Sequence, residues 1–360
     1  MSSTRQTELT EEQRRMYASE KLDNFRWISK LVATRSSYTL TDSDRAPESL
    51  HLELADLGQF AELVYSAIPV PFLLDNYDVL SQPDFPLENH IALKGLALVD
   101  FFQGKLKLPV CIVHRPTTKQ VVVAIAGTSL PTHALHDVYA IKSTHPSRKG
   151  AVHTGFWTLY MDIKDRALDV IRRAVSELRP SELVLTGHSM GGSLSYLLCM
   201  DILSDEELVK AGIMIKIAVF GAPRTGDEAL VRYFHDLVSS YRQRHGDDFF
   251  KEYAVKGYND GVPALPPYML GYRHFCRTPI YTSYGNLYTT PASESEHALF
   301  TVVSDKDMEG PPLFPRGGHN YYNGRDLERF SRRIKWLHQA NPHEEGWEDR
   351  YRATVHKHCR

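Results

Sequence analysis

Apolar residues recur along this chain with two different spacings. Phe156, Tyr160, Ile163, Ala167, Val170, Ala174 and Leu178 step by three and four positions, which predicts one long amphipathic helix that stops at Pro180. Leu54, Leu57, Ala61, Val64 and Tyr65 share a face of a second helix over about 52–66. A third reads from Leu22, Phe25, Ile28 and Val32 within Leu9–Thr34, opened by Thr10 with Gln13 three residues on, a capping-box pattern. The polar stretch from Ser36 to Glu48 reads as a loop. Elsewhere the apolar residues fall in short runs. Val110, Ile112 and His114, then Val121 to Ile125, predict a hairpin through Arg115–Gln120. ELVLT (Glu182–Thr186), Ile213–Phe220 and Lys251–Tyr258 predict further strands, and 190–204 and Arg325–His338 predict helices. Short buried strands alternating with helices imply an α/β fold with a mostly parallel sheet covered on both faces.

Composition narrows the class. The chain has 360 residues, 42 Lys+Arg against 44 Asp+Glu and a net charge of −2, with no basic footprint for nucleic acid. Hydrophobic residues at 42% and charged residues at 24% are those of a globular protein, not a disordered or fibrous one. Cys111, Cys199, Cys276 and Cys359 form no CxxC pair, and no histidine pattern has metal-ligand spacing. No apolar run is long enough to span a bilayer and Met1–Arg15 is polar, so the expectation is a cytoplasmic protein.

The sharpest motif is Gly187-His188-Ser189-Met190-Gly191, a G-x-S-x-G between an apolar strand and an apolar helix. That context suits a nucleophile elbow, a tight turn that lifts a serine hydroxyl above the sheet edge. The small glycines let the turn close, and the helix N-terminus points free N–H groups at developing negative charge. Ser189 is the candidate nucleophile.

With this motif the chain resembles the class 3, fungal lipase-like family of α/β-hydrolases over about 108–335. The resemblance is carried by Val121–Thr128 (VVVAIAGT), Val152–Phe156 (VHTGF), Phe220–Arg224 (FGAPR), and Asn259–Pro263 (NDGVP) with Leu265-Pro266-Pro267. It implies an α/β-hydrolase fold; with the helix pattern before about residue 90 and the charge after Asn341, the expected division is 1–90 as a helical N-terminal extension, 91–340 as catalytic domain and 341–360 as a charged, exposed tail. It also implies an oxyanion hole from the Thr128 and Met190 amides. Asn-Asp-Gly alone would be an Asx-turn; inside the D-x-V-P pattern, after an apolar strand, Asp260 becomes the candidate acid. This fold presents Ser, acid and His in chain order. The histidines after Asp260 are His274, His297, His319, His338, His343, His356 and His358. The resemblance favours His319, in a Gly-rich loop before the last helix of the domain, while His274 reads as structural or substrate-edge. Ser129–His136 occupies the family's lid position with few bulky apolar residues, and Asp137 resembles the residue that ends it.

The resulting expectation is a cofactor-free, metal-free serine hydrolase of fatty-acyl esters (acylglycerol, phospholipid or small esters) working through Ser189, Asp260 and His319. The same triad would serve an acyltransferase, and a catalytically silent lipase-like interaction module is the remaining alternative. The expected partner is a lipid or small ester, with no nucleic acid. Any contact with a membrane or lipid droplet would be peripheral.

Overall fold

A computed structural model describes residues 34–127, 141–283, 285–303, 318–323 and 325–358. Five of its strands lie side by side and parallel: β4 (Gln120–Ile125), β7 (Glu182–His188), β8 (Met214–Phe220), β10 (Phe250–Gly257) and β12 (Ile280–Ser283). β3 (Pro109–Arg115) and β2 (Ala97–Gln103) extend one side antiparallel, and β13 (Asn286–Thr289) the other. All seven residues of β7 are buried. A strand covered on both faces has no polar side to alternate, which is why ELVLT reads as an unbroken apolar run.

Helices supply the cover. α1 (Glu48–Leu63) packs on β7, and α2 (Thr154–Leu178) packs on α3 (Met190–Ser204), which also lies against β7 and β8. α4 (Glu228–His245) follows β8 through a two-residue strand, β9 (Gly226–Asp227). A second, small sheet in the order β11-β9-β6-β5 joins β9 to β5 (Lys142–Thr144), β6 (Ala151–His153) and β11 (Tyr272–Arg273). Its strands follow the C-terminal ends of the parallel strands, the end at which ligand sites of open α/β sheets lie.

The structure departs from the sequence expectation in several places. Residues 36–40, read as the start of a loop, belong to β1 (Arg35–Leu40), parallel to β14 (Leu299–Val302). Only Ser36 and Leu40 of that strand are buried, so it carries no apolar run, and its partner lies far along the chain. The expected helix over 9–34 falls outside the described residues apart from Thr34. α1 begins at Glu48, directly after Pro47. Leu54, Leu57, Phe60 and Leu63 of α1 share one core with β4 and β7, so residues of the expected extension line the same interior as the central sheet. The last helix of the domain starts at Leu327, not Arg325: β15 (Tyr321–Tyr322) and β16 (Arg325–Asp326) pair first, and Asp326 then caps α5 (Leu327–Gln339). The tail, expected to be exposed, folds into α6 (Trp347–His358) with Tyr351 and Val355 buried. Tyr351 stacks on Phe85 with ring centroids 4.7 Å apart, and its hydroxyl donates to the Asp84 carbonyl at 2.9 Å. The charge of the segment hides these apolar anchors.

His153 caps α2: its Nδ1 accepts the Phe156 N–H at 3.3 Å, so that nitrogen must stay unprotonated. The residue is 2% exposed, and burial pushes its pKa down to about 4. Its stabilisation is therefore complete above pH 6.5 and is lost as pH falls toward 4. His153→Asn keeps a side-chain cap without the titration. The wild type should lose about 3 kcal/mol relative to this variant between neutral pH and pH 4, read from urea midpoints. Parallel pH profiles would remove the cap from the account.

Candidate active site

The strand-to-helix turn after β7 is built by exclusion. A Cβ on Gly187 would stand 2.4 Å from the Gly191 carbonyl carbon, and one on Gly191 would stand 2.1 Å from the Ile125 carbonyl oxygen. Only hydrogen fits at either place, so α3 starts hard against the end of β4. Ser189 takes up the bend at φ 60° and ψ −134°, a backbone state that costs a non-glycine residue about 1–3 kcal/mol. Surroundings hold it: its N–H donates to the Phe220 carbonyl at 2.8 Å and its carbonyl accepts from Gly192 N–H at 3.0 Å. Ser189 sits at the N-cap of α3, where the positive end of the helix dipole lies.

Asp260 follows β10 through Asn259, which turns the chain at φ 58°. Its carboxylate is wholly buried. Oδ1 accepts the Val262 N–H at 2.8 Å, and Oδ2 accepts His319 Nδ1–H at 3.0 Å. Tyr322 donates its hydroxyl to the same Oδ2. Burial, and then the Asp260 charge, push the Tyr322 phenol well above its ordinary pKa, so it remains a donor. Since Asp260 fixes the proton of the His319 ring on Nδ1, the neutral ring carries its lone pair on Nε2. Of the seven candidate histidines, His319 is the one paired with Asp260. His274 turns away, its Nε2 on the Pro263 carbonyl at 2.8 Å.

His188 binds these pieces together. Its Nε2 lies 2.6 Å from the His319 carbonyl, and a carbonyl only accepts, so Nε2 carries the hydrogen. Burial pushes its pKa well down, followed by the nearby His319, so the ring is neutral and Nδ1 accepts. The donor to Nδ1 is the Tyr65 hydroxyl at 3.0 Å, which also reaches the His188 carbonyl at 3.2 Å. The Tyr65 oxygen in turn accepts the Gly127 N–H at 3.0 Å. A Cβ at Gly127 would lie 3.1 Å from Ser189 Cβ, so Gly127 lies beside the serine. Thr128, the segment Ser129–His136 and Asp137 lie outside the described residues. Met190, the other candidate oxyanion donor, is the first residue of α3.

Two buried ion clusters brace the site's loops. Arg224, fully buried, donates to the Ala264 and Pro266 carbonyls at 2.6 and 3.1 Å and pairs with Glu296 at 2.6 Å. It fastens the segment that leaves Asp260, so two motifs that read separately in sequence, FGAPR and LPP, act as one unit. On the other side Arg325, just past Tyr322, pairs with Glu62 of α1 at 2.5 Å, and His90 meets the same oxygen at 2.9 Å. Burial alone would raise the Glu62 carboxyl, but Arg325 and His90 bring it down to about 2. Sequence reasoning gave no role to Tyr65, read only as a helix-face position, or to Tyr322 and Arg224. Among the described residues no group of three or more His, Cys, Asp or Glu could hold a metal ion. Cys111, Cys199 and Cys276 are buried free thiols.

Residues 122–268 match the lipase (class 3) family model. A secreted mono- and diacylglycerol lipase of Malassezia globosa, LIP1, is 28% identical over 221 residues, 58% of this chain and 67% of that protein. A second, MDL3, is 29% identical over 206 residues, 54% of this chain and 62% of the relative. Among solved structures, the Rhizomucor miehei triacylglyceride lipase has a TM-score of 0.59 at 17% identity, covering 80% of this chain and 99% of that one. A lipase from Rhizopus microsporus var. chinensis has a TM-score of 0.56 at 20% identity, covering 79% and 91%. The fold is that of an α/β-hydrolase. Through residues 122–268 the chain is similar to the class 3 lipases. Both Malassezia relatives are secreted by name, which gives no support to the cytoplasmic expectation. No described helix is long and apolar enough to cross a membrane.

Tyr65→Phe should leave Gly127 N–H and His188 Nδ1 without their partner and lower stability by about 1–3 kcal/mol, measured by urea denaturation. An unchanged midpoint would show that this hydroxyl is not what joins α1 to the site.

Proposed function

We propose that the protein hydrolyses fatty-acyl esters, mono- and diacylglycerols foremost, through Ser189, His319 and Asp260. The observation that carries this reading is the buried Asp260–His319 pair at 3.0 Å, whose histidine is joined through its carbonyl to His188, the residue next to the strained Ser189. In this reading Ser189 Oγ attacks the ester carbonyl while His319 Nε2 takes its proton. Asp260, held by Tyr322 and the Val262 amide, fixes the ring and stabilises the imidazolium. The Met190 and Thr128 amides hold the oxyanion, each worth roughly 3 kcal/mol in comparable sites. The protonated His319 then passes its proton to the leaving alcohol, and water activated by the same nitrogen releases the acid. Tyr65 acts indirectly, by seating Gly127.

Exposed apolar side chains beside the expected lid suit an apolar acyl group. Ile141 is 59% exposed and Met269 88% exposed, and Lys142 Nζ on the Leu270 carbonyl at 2.7 Å ties the two segments together. These residues flank the C-terminal end of the segment that carries the expected lid. The Malassezia relatives are named mono- and diacylglycerol lipases, which favours partial glycerides as substrates.

Ser189→Ala should abolish fluorophosphonate labelling and cut turnover of a soluble short-chain ester by about 10⁴-fold or more, with an unchanged urea midpoint. Labelling that persists in the variant would place the nucleophile elsewhere.

A further inference from the structure

Most arginines described above have a carboxylate partner. A patch at the far end of the small sheet does not follow that rule. The turn between β5 and β6 carries Arg148 and Lys149, the first half of α4 carries Arg232, Tyr233, His235 and Asp236, and Arg277 comes from the segment after β11. Together they surround an open cavity of about 530 Å³. Arg232 is paired with Glu228 at 3.1 Å. Lys149 lies over the Tyr233 ring, 4.7 Å from its centroid. Arg148 and Arg277 are exposed and make no ion pair with a described residue. Asp236 is the one acid in the lining. His235 is neutral: burial, then Arg277, push its pKa down to about 4.

The turn is held in place before any ligand arrives. Arg148 sits at φ 57°, and its N–H donates to the His145 carbonyl at 2.8 Å. His145 N–H donates to the Gly150 carbonyl at 2.9 Å, and the His145 ring packs on Trp157 at 5.1 Å. Gly150, at φ 141°, is pressed so closely on the first turn of α4 that a Cβ would stand 2.3 Å from Leu230 N. The cations are thus presented on fixed backbone, with little ordering left to be done on binding.

We infer that this cavity binds a phosphate group, monoester or diester, between the guanidinium forks of Arg148 and Arg277 with Lys149 beside them. Guanidinium matches phosphate oxygens with two parallel N–H donors, and Lys adds a point charge. The shared chemistry has two sources, a free phosphate and a phospholipid headgroup. None of Ser189, Asp260 and His319 lines the cavity, and the inference does not rest on the proposed hydrolysis.

The test titrates the full chain with inorganic phosphate by calorimetry, and co-sediments it with phosphatidylcholine vesicles with and without phosphatidic acid. Arg148→Asn with Arg277→Gln should weaken binding by about tenfold or more per lost guanidinium, with short-chain esterase activity and urea midpoint unchanged. Arg148→Lys with Arg277→Lys, which keeps the charge, should bind with intermediate affinity and serves should the first pair fail to fold. Binding of inorganic phosphate assigns a free ligand. Retention only by phosphatidic acid vesicles assigns a headgroup. No binding in either arm, or binding that both double variants leave intact, overturns the proposal.

Discussion

One chain of hydrogen bonds sets the geometry of the site. Gly127 N–H donates to Tyr65, Tyr65 to His188 Nδ1, His188 Nε2 to the His319 carbonyl, and His319 Nδ1 to Asp260, which Tyr322 also serves. The chain has a direction, and that direction exists only while His188 is neutral. A protonated His188 would have two donors, leaving the Tyr65 hydroxyl without an acceptor ring nitrogen. Burial of His188 is therefore a condition on the whole site: it fixes the ring's charge and, through that, the places of the serine turn, the histidine loop and the strand end at Gly127.

Around that chain, charge is used for position more than for stability. A buried ion pair seldom gains more from attraction than it loses in hydration, but removing one partner is costly. Arg224 holds carbonyls on the segment after Asp260, and Arg325 with His90 holds Glu62 of α1. Arg333, 2% exposed, does the same farther out, on Glu88 and Asp84. The Arg224 cluster joins the segment before β9 to the segments around Ala264 and Glu296, and Arg325 of β16 and Arg333 of α5 join the C-terminal part of the described chain to the region before β2. The loops that carry Asp260 and His319 are thereby fixed without a regular element of their own.

How far the sequence could be read follows from the range of the forces involved. α2, α3, β7 and β8 were legible because period and burial coincide within each: an apolar stripe in α2, unbroken apolar runs in the strands. The pairing of Ser189, Asp260 and His319 was suggested by motif context and family resemblance, and the structure does bring the acid and the histidine into contact. β1 was missed because its support is the distant β14, and α6 because two apolar anchors are diluted by charge. Tyr65 was invisible as a site residue since its helix face gives it an ordinary core explanation. Only the fold brings its hydroxyl to His188, 123 positions later.

The contact between Tyr351 and the Asp84 carbonyl spans 267 positions. It has a consequence for the order of events in synthesis. At about 5–20 residues per second, on the order of tens of seconds separate the emergence of the two partners from a ribosome. Throughout that interval Phe85 and the surface that α6 will cover stand uncapped, and β1 waits for β14. The apolar surface around Phe85 thus waits in water while the strands of the central sheet, all C-terminal to it, are still being made, the period in which a holding chaperone would matter most.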